Sequence, residues 1–207
     1  MNTISKDEYL INPCEASSLP FWKTEQYEIP DNISILRDNE LNQADYIGVD
    51  NQYFKLIHYL QNLFSSELSD KYILTDASVE ELANHINECY VDEGVSFNEL
   101  EEYTKRITYD EKLWISIREK STGKIIASGI GEFDARIGEG ILDWIQVSPN
   151  YKRNGLGRVV VCELLKRLSA KADFATVSGR IDNPDNPFAL YSSCGFVHPV
   201  LWHILIK

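Results

Sequence analysis

The 207-residue sequence has little positive charge. Its 20 lysines and arginines stand against 32 aspartates and glutamates, a formal net charge of −12. A general nucleic-acid binder needs a basic face to neutralise phosphates, so this balance argues against one. The same surplus favours solubility and tolerates or attracts cationic small molecules such as amines. Cysteine is also sparse. Cys14, Cys89, Cys162 and Cys194 are far apart, with no C-x-x-C pair. Nor do they form zinc spacing with His58, His85, His198 and His203, so no metal is expected. They read as reduced thiols of a cytosolic protein. No apolar run approaches the roughly 18 residues that span a bilayer. The start, MNTISKDEYLINPCEASS, carries charges where a signal peptide needs an apolar run. The expectation is a soluble, cytoplasmic protein with no membrane partner. Repeats and low-complexity segments are absent.

What is present suffices for one core, or one core plus an extension: 43% of residues are hydrophobic and 11% aromatic. Residues 1–70 are the less regular part, and Pro13, Pro20 and Pro30 discourage long helices there. NISILR (residues 32–37) reads as a short strand. DNQYFKLIHYLQNLF (residues 50–64) reads as a helix with Phe54, Ile57, Leu60 and Phe64 on one face. From residue 72 the signals sharpen. YILTDA is a strand candidate. Two short helices follow, opened by the capping boxes Ser78/Glu81 and Ser96/Glu99, the first closed by DEG at residues 92–94. LWISIR, KIIASGIGEF and GILDWIQV are strands joined by short turns, an antiparallel meander. GLGRVVVCELLKRLSAKA is a helix with Leu156, Val160, Leu164 and Leu168 at four-residue spacing. A strand, DFATVSGRI, comes next. A short helix is capped by Asn186, begun by Pro187 and ended by Gly195, and LWHILI is a last strand, with one more strand possible near Phe196. The order is α+β with a mixed sheet. Residues 1–70 would form an extension packing, through Phe21, Trp22, Tyr27, Phe54 and Tyr59, on a main domain of residues 71–207.

One stretch is out of character with the acidic chain. YKRNGLGR (residues 151–158) joins a strand to a helix with three basic residues and two glycines. First-turn N–H groups have no partner inside a helix, and the helix dipole adds about half a positive charge there. Gly155 and Gly157 let a ligand approach that backbone. The elbow suits a phosphate or pyrophosphate. It is neither a Walker loop nor a dinucleotide fingerprint, because G-x-x-x-x-G-K-[ST] is missing and Val160 stands where a third glycine belongs. GIGEFD (residues 129–134) reads as a bulge, or as a place where something approaches the strand backbone.

Two motifs then resemble the GNAT superfamily of acyl-CoA-dependent N-acetyltransferases. IQVSPNYKRNGLG resembles the family signature [QR]-x-x-G-x-[GA] after a strand, with Lys152 at its first position. LYSSCGF (residues 190–196) resembles L-Y-x-x-x-G-F. The resemblance covers about residues 72–207. It implies a mostly antiparallel sheet of six to seven strands flanked by helices, with acetyl-CoA as cosubstrate. It also implies direct transfer to a primary amine of a small molecule or peptide, by a monomer or homodimer. The diphosphate of coenzyme A would rest on Lys152, Arg153, Asn154, Gly155, Leu156, Gly157 and Arg158. The pantetheine arm would pair with Ile145, Gln146 and Val147. Asn183 or Asn186 would be the family's coenzyme asparagine, although Pro184 holds the usual slot. Tyr191 would protonate the leaving thiolate. The competing class is a non-catalytic acyl-CoA-binding or sensor module.

An amine of pKa about 10.4 must lose a proton before it attacks a thioester, so a base is expected. Period two places Asp143 on the face of Ile145 and Val147, which makes it the candidate, with Glu132 and Glu139 as competitors. Cys194 reads as a small core residue. Trp114, Trp144 and Trp202 read as core or pocket wall. His198 and His203 flank the last strand and are packing residues or part of an acceptor pocket.

Overall fold

The computed structural model describes residues 4–42, 48–90 and 93–207. In chain order its elements are α1 (Lys6–Ile11), α2 (Pro13–Ala16), α3 (Phe21–Thr24), β1 (Ile33–Arg37), β2 (Val49–His58), β3 (Tyr72–Thr75), α4 (Val79–Cys89), α5 (Phe97–Tyr103), β4 (Trp114–Glu119), β5 (Ile125–Asp134), β6 (Glu139–Val147), α6 (Leu156–Leu168), β7 (Phe174–Arg180), α7 (Pro187–Ser193) and β8 (Val197–Ile206). The α+β class, the mostly antiparallel pairing and the flanking helices are as expected. Eight strands are described, where six or seven were expected. By contact the chain divides into two compact units, Leu60–Ala175 and the pair Met1–Tyr59 with Thr176–Lys207.

In the Leu60–Ala175 unit the strands run β6-β5-β4-β3, each pair antiparallel; for β4–β5 and β5–β6 this is the pairing that the short turns predict. One face receives α6. Leu156, Val160, Leu164 and Leu168 are all buried on it, each contributing about 1.5–3 kcal/mol. Glycine makes this approach possible: a Cβ on Gly129 would lie 2.4 Å from Val160 Cγ1, and one on Gly140 would lie 2.7 Å from Leu168. The other face carries α4 and α5, whose Leu82, Ala83, Ile86 and Leu100 pack with Trp114 and Ile130. Both helices start with the expected reciprocal capping boxes. Of the segment expected to close α4, Asp92 lies outside the described residues, and the helix already ends at Cys89.

In the other unit β8 lies between β1 and β2, antiparallel to both, and β7 follows β2. The run read as a helix over residues 50–64 is mostly β2. Phe54, Lys55, Leu56, Ile57 and His58 are buried one after another. A strand covered on both faces shows an unbroken apolar run, and the three-residue spacing of Phe54 and Ile57 mimics a helix. Leu60 and Phe64 fall beyond the strand, and Phe64 is half exposed. The prolines leave α2 and α3 one turn each. Phe21, Trp22 and Phe54 are buried, whereas Tyr27 and Tyr59 are about half exposed. The segment is pinned by Lys55, whose Nζ bonds Tyr9 Oη and the carbonyls of Pro13, Ser17 and Leu19 at 2.8–3.0 Å. The strand expected near Phe196 and the last strand are one, β8, bent where the register shifts around left-handed His198.

Candidate functional site

The elbow between β6 and α6 is built by a change of backbone hand. A single helical turn over Pro149–Tyr151 leads to Arg153 at φ 65° and Gly155 at φ 77°, both left-handed. Asn154 ties the loop by donating to the Tyr151 carbonyl at 3.1 Å. Nothing lies within 4 Å of where a Gly155 Cβ would be. The first intrahelical bond of α6 is from Val159 N to Gly155 O at 3.1 Å, so the preceding N–H groups have no partner within the helix. No side chain caps this end and no acidic residue sits in its first turn. Helices α1, α4 and α5 are the reverse, each begun by a serine–glutamate box with acid in the first turn. On α6 that turn carries Arg158 instead, a cation at the positive end of the dipole. Such an arrangement disfavours an empty helix start and favours an anion.

The strand entering the elbow is not regular. Gly129 pairs with Ile145 but Gly131 with Leu142, so β6 holds one residue more than β5 there. The expected irregularity at residues 129–134 is therefore real, although the extra residue belongs to the partner strand. This corrects the expected facing of Asp143. The extra residue breaks the period of two between Leu142 and Ile145. Ile145 Cδ1 lies beside Gly129 on the α6 face. Asp143 Oδ2 lies 3.9 Å from Arg106 Nη1, the guanidinium that bonds Glu132 Oε1 at 2.8 Å. Trp144 packs with the α4–α5 cluster. Glu132, named as a competitor for the base, is 2% exposed and paired with Arg106; Glu139 is fully buried.

Beneath the end of β6 lies a buried polar network. Gln146 Nε2 donates to Ser128 Oγ. The His85 ring sits between Ser128 Oγ, 2.8 Å from Nδ1, and Ser148 Oγ, 3.0 Å from Nε2. Both ring nitrogens are satisfied when Ser128 donates to Nδ1 and Nε2–H donates to Ser148, with the ring neutral, whereas the buried Gln146 Oε1 has no hydrogen-bond partner among the described residues. Burial pushes the His85 pKa down to about 4 and that of the neighbouring Cys89 thiol up to about 12. Cys89 is therefore a thiol at neutral pH and no nucleophile. The Gln146 side chain is committed inward, so any contact it makes with a ligand is through its backbone.

The remaining expected residues lie in the other unit. Tyr191 is 5% exposed, its ring 6.2 Å from Phe54 and 5.7 Å from Phe196. Asn186 caps α7 by accepting from Ala189 N, as expected, at φ 51°. Asn183 Oδ1 accepts from Asp185 N in the preceding turn. Gly195, at φ 99°, ends α7. Cys194 is fully buried, and Trp202 donates to the Cys14 carbonyl. His203 is clamped, Nδ1 2.9 Å from Asp50 and Nε2 3.2 Å from Asp38, which makes it a tie between strands and not a pocket wall.

Sequence reading passed over Arg106, Ser128 and Ser148. Their partners are distant in the chain, and no local period marks them. His85 had a signal: it falls three residues after Leu82 on the apolar stripe of α4.

No group of three metal-ligating side chains is present among the described residues, and no helix there is long and apolar enough to cross a membrane. Residues 117–202 match the family model of the FR47-like proteins. No curated protein matches. Among solved structures the fold is shared with a GCN5-related N-acetyltransferase from Sphaerobacter thermophilus, at 16% identity and TM-score 0.66. That alignment covers 84% of this chain and 59% of the other, so the chain spans about three fifths of that structure. A GNAT-family acetyltransferase from Colwellia psychrerythraea follows at 18% identity and TM-score 0.58, covering 84% and 64%. The ribosomal-protein-S18-alanine N-acetyltransferase of Escherichia coli is 19% identical over 65% of this chain and 93% of its own, with TM-score 0.52. Residues 117–202 thus resemble the FR47-like proteins, and the chain has the fold of these GNAT-type acetyltransferase structures.

Proposed function

We propose that the protein is an N-acetyltransferase that moves an acetyl group from acetyl-CoA directly to a primary amine. The observation that carries this reading is the start of α6, with its left-handed loop, its lack of a side-chain cap and Arg158 in place of acid. In this reading Lys152, Arg153, Asn154, Gly155, Leu156, Gly157 and Arg158 hold the diphosphate. Each charge-assisted hydrogen bond contributes about 1.5–3 kcal/mol. Ile145, Gln146 and Val147 offer backbone groups to the extended arm, and the buried His85 network keeps the end of that strand rigid. When bound, acetyl-CoA supplies the activated acyl group. A β6 N–H near the bulge, that of Ile145, stabilises the developing oxyanion, an effect of about 3 kcal/mol.

Tyr191 is proposed as the acid that protonates the departing thiolate, on the strength of LYSSCGF. With a tyrosine near pKa 10 and a thiol near 8.5, that transfer is uphill by only about 2 kcal/mol. Asp143 is proposed to meet the amine and take its proton, either itself or through water. The pair Asn183 and Asn186 serve their own turn and cap through their side chains, so any hold on the coenzyme would come from the surfaces those turns present.

Free thiol release from acetyl-CoA across a panel of amines tests the reading. Turnover with at least one amine is expected. Gly157→Glu should weaken acetyl-CoA binding by about 100-fold or more in calorimetry, the loss of two charge-assisted bonds. Tyr191→Phe should leave that affinity unchanged and lower turnover by about 100-fold. Binding without turnover for any amine would make the protein an acyl-CoA-binding module. Absence of binding would remove the reading altogether.

A further inference from the structure

We propose that Tyr90 is a positioning residue for acetyl transfer: it holds the bulge of β6 and so aims the Ile145 N–H at the developing oxyanion. This rests on the acetyl-transfer reading and deepens it.

Helix α4 stops at Cys89. The next residue, Tyr90, is extended at φ −111° and ψ 141°, while its N–H still closes the last turn onto the Ile86 carbonyl. This cap carries the side chain off the helix and onto β6, 55 positions along the chain. There the hydroxyl donates to the Ile145 carbonyl at 3.2 Å. The ring stands edge-on to Trp144, with ring centres 5.5 Å apart. Trp144 itself packs in the α4–α5 cluster.

The register shows what is being held. Asp143 and Trp144 together oppose the single residue Ile130 of β5, so they are the bulge. Tyr90 touches Trp144 on one side of the Trp144–Ile145 peptide bond and the Ile145 carbonyl on the other. The N–H of that same peptide is the group assigned to the oxyanion. The Ile145 side chain adds a third hold, because its Cδ1 lies beside Gly129 on the α6 face. A bulge disrupts the ladder locally, so the strand alone aims its backbone less firmly than a regular pairing does. An oxyanion donor is effective when it is aimed before the charge appears. Tyr90 supplies that aim from outside the strand.

The test is Tyr90→Phe, which removes the hydroxyl and keeps the ring on Trp144. Single-turnover transfer from acetyl-CoA is followed with whichever amine of the panel turns over fastest, and acetyl-CoA affinity is read by calorimetry. The oxyanion exists only in the transition state, so the transfer rate should fall about tenfold while the Kd stays within about twofold. Tyr90→Leu removes the ring contact as well and should fall about a further tenfold. Its melting curve is recorded alongside; should it not fold, the Tyr90→Phe result decides. A residue that served only the fold would lower the melting temperature and leave the single-turnover rate of the folded enzyme unchanged. An unchanged rate in Tyr90→Phe, or a Kd that rises by as much as the rate falls, overturns the proposal while acetyl transfer stands. No thiol release from wild type with any amine overturns both.

Discussion

His85 in the Leu60–Ala175 unit and His203 in the other unit are both about 3% exposed. Their partners make them opposites. His85 lies between two serine hydroxyls, and burial drives its pKa to about 4. His203 lies between two aspartates. Burial there also works against charge, but the bonds to Asp50 and Asp38 outweigh it and raise the pKa above the ordinary value. One unit therefore supports the end of β6 with a neutral network, which adds no buried cation beneath the basic elbow. The other unit ties its N-terminal segment and strands with charge: His203 joins β8 to β2 and to the turn after β1, and Lys55 gathers three carbonyls of the N-terminal segment. The same residue type serves either end because the partner decides the protonation state.

The contrast can be broken at several points. The largest loss is expected from Lys55→Met, which leaves one buried and two part-buried carbonyls and the Tyr9 hydroxyl without the ammonium. Urea denaturation should show a fall of about 3–5 kcal/mol. Next comes the pH dependence of His85. Its folded pKa lies below the unfolded value, so its contribution is full above about pH 6.5 and is lost as pH falls through about 4. The loss is on the order of 3 kcal/mol, and a His85→Gln variant should show a flatter stability curve over that window. His203 has the opposite sign. Its raised pKa stabilises below the unfolded value of about 6.5, and that part is lost as pH rises through the folded value. Asp50→Asn should cost about 1.5 kcal/mol near pH 6 and much less in alkali, read as the difference between melting curves. The smallest effect is at a helix start. Ser96→Ala removes the capping box of α5 and should cost about 1 kcal/mol. A cap engineered at Gly155 of α6 should gain little, if that end is reserved for an anion.

Local chemistry was legible from the chain alone. The capping boxes, the proline-limited helices, the meander and the glycine elbow each depend on residues within a few positions of one another. Each of these appears in the structure where its residues predict it. The family motifs sit on the expected strand–turn–helix and on α7. Two readings failed for the same reason, that period is informative only while one face is exposed and no residue is inserted. β2 is covered on both sides and so imitates a helix, and the bulge in β6 moves Asp143 off the face of Ile145.

By itself the sequence determined the α+β class, the basic elbow at a helix start, and the tyrosine motif. These are written in near neighbours, where backbone geometry and capping act over one or two turns. Only the tertiary structure decided which charges meet. The pairing of Arg106 with Glu132 and Asp143, and the opposite states of His85 and His203, link residues 26 to 165 positions apart. Burial and partner choice set their energies, and neither is a property of any local stretch of chain.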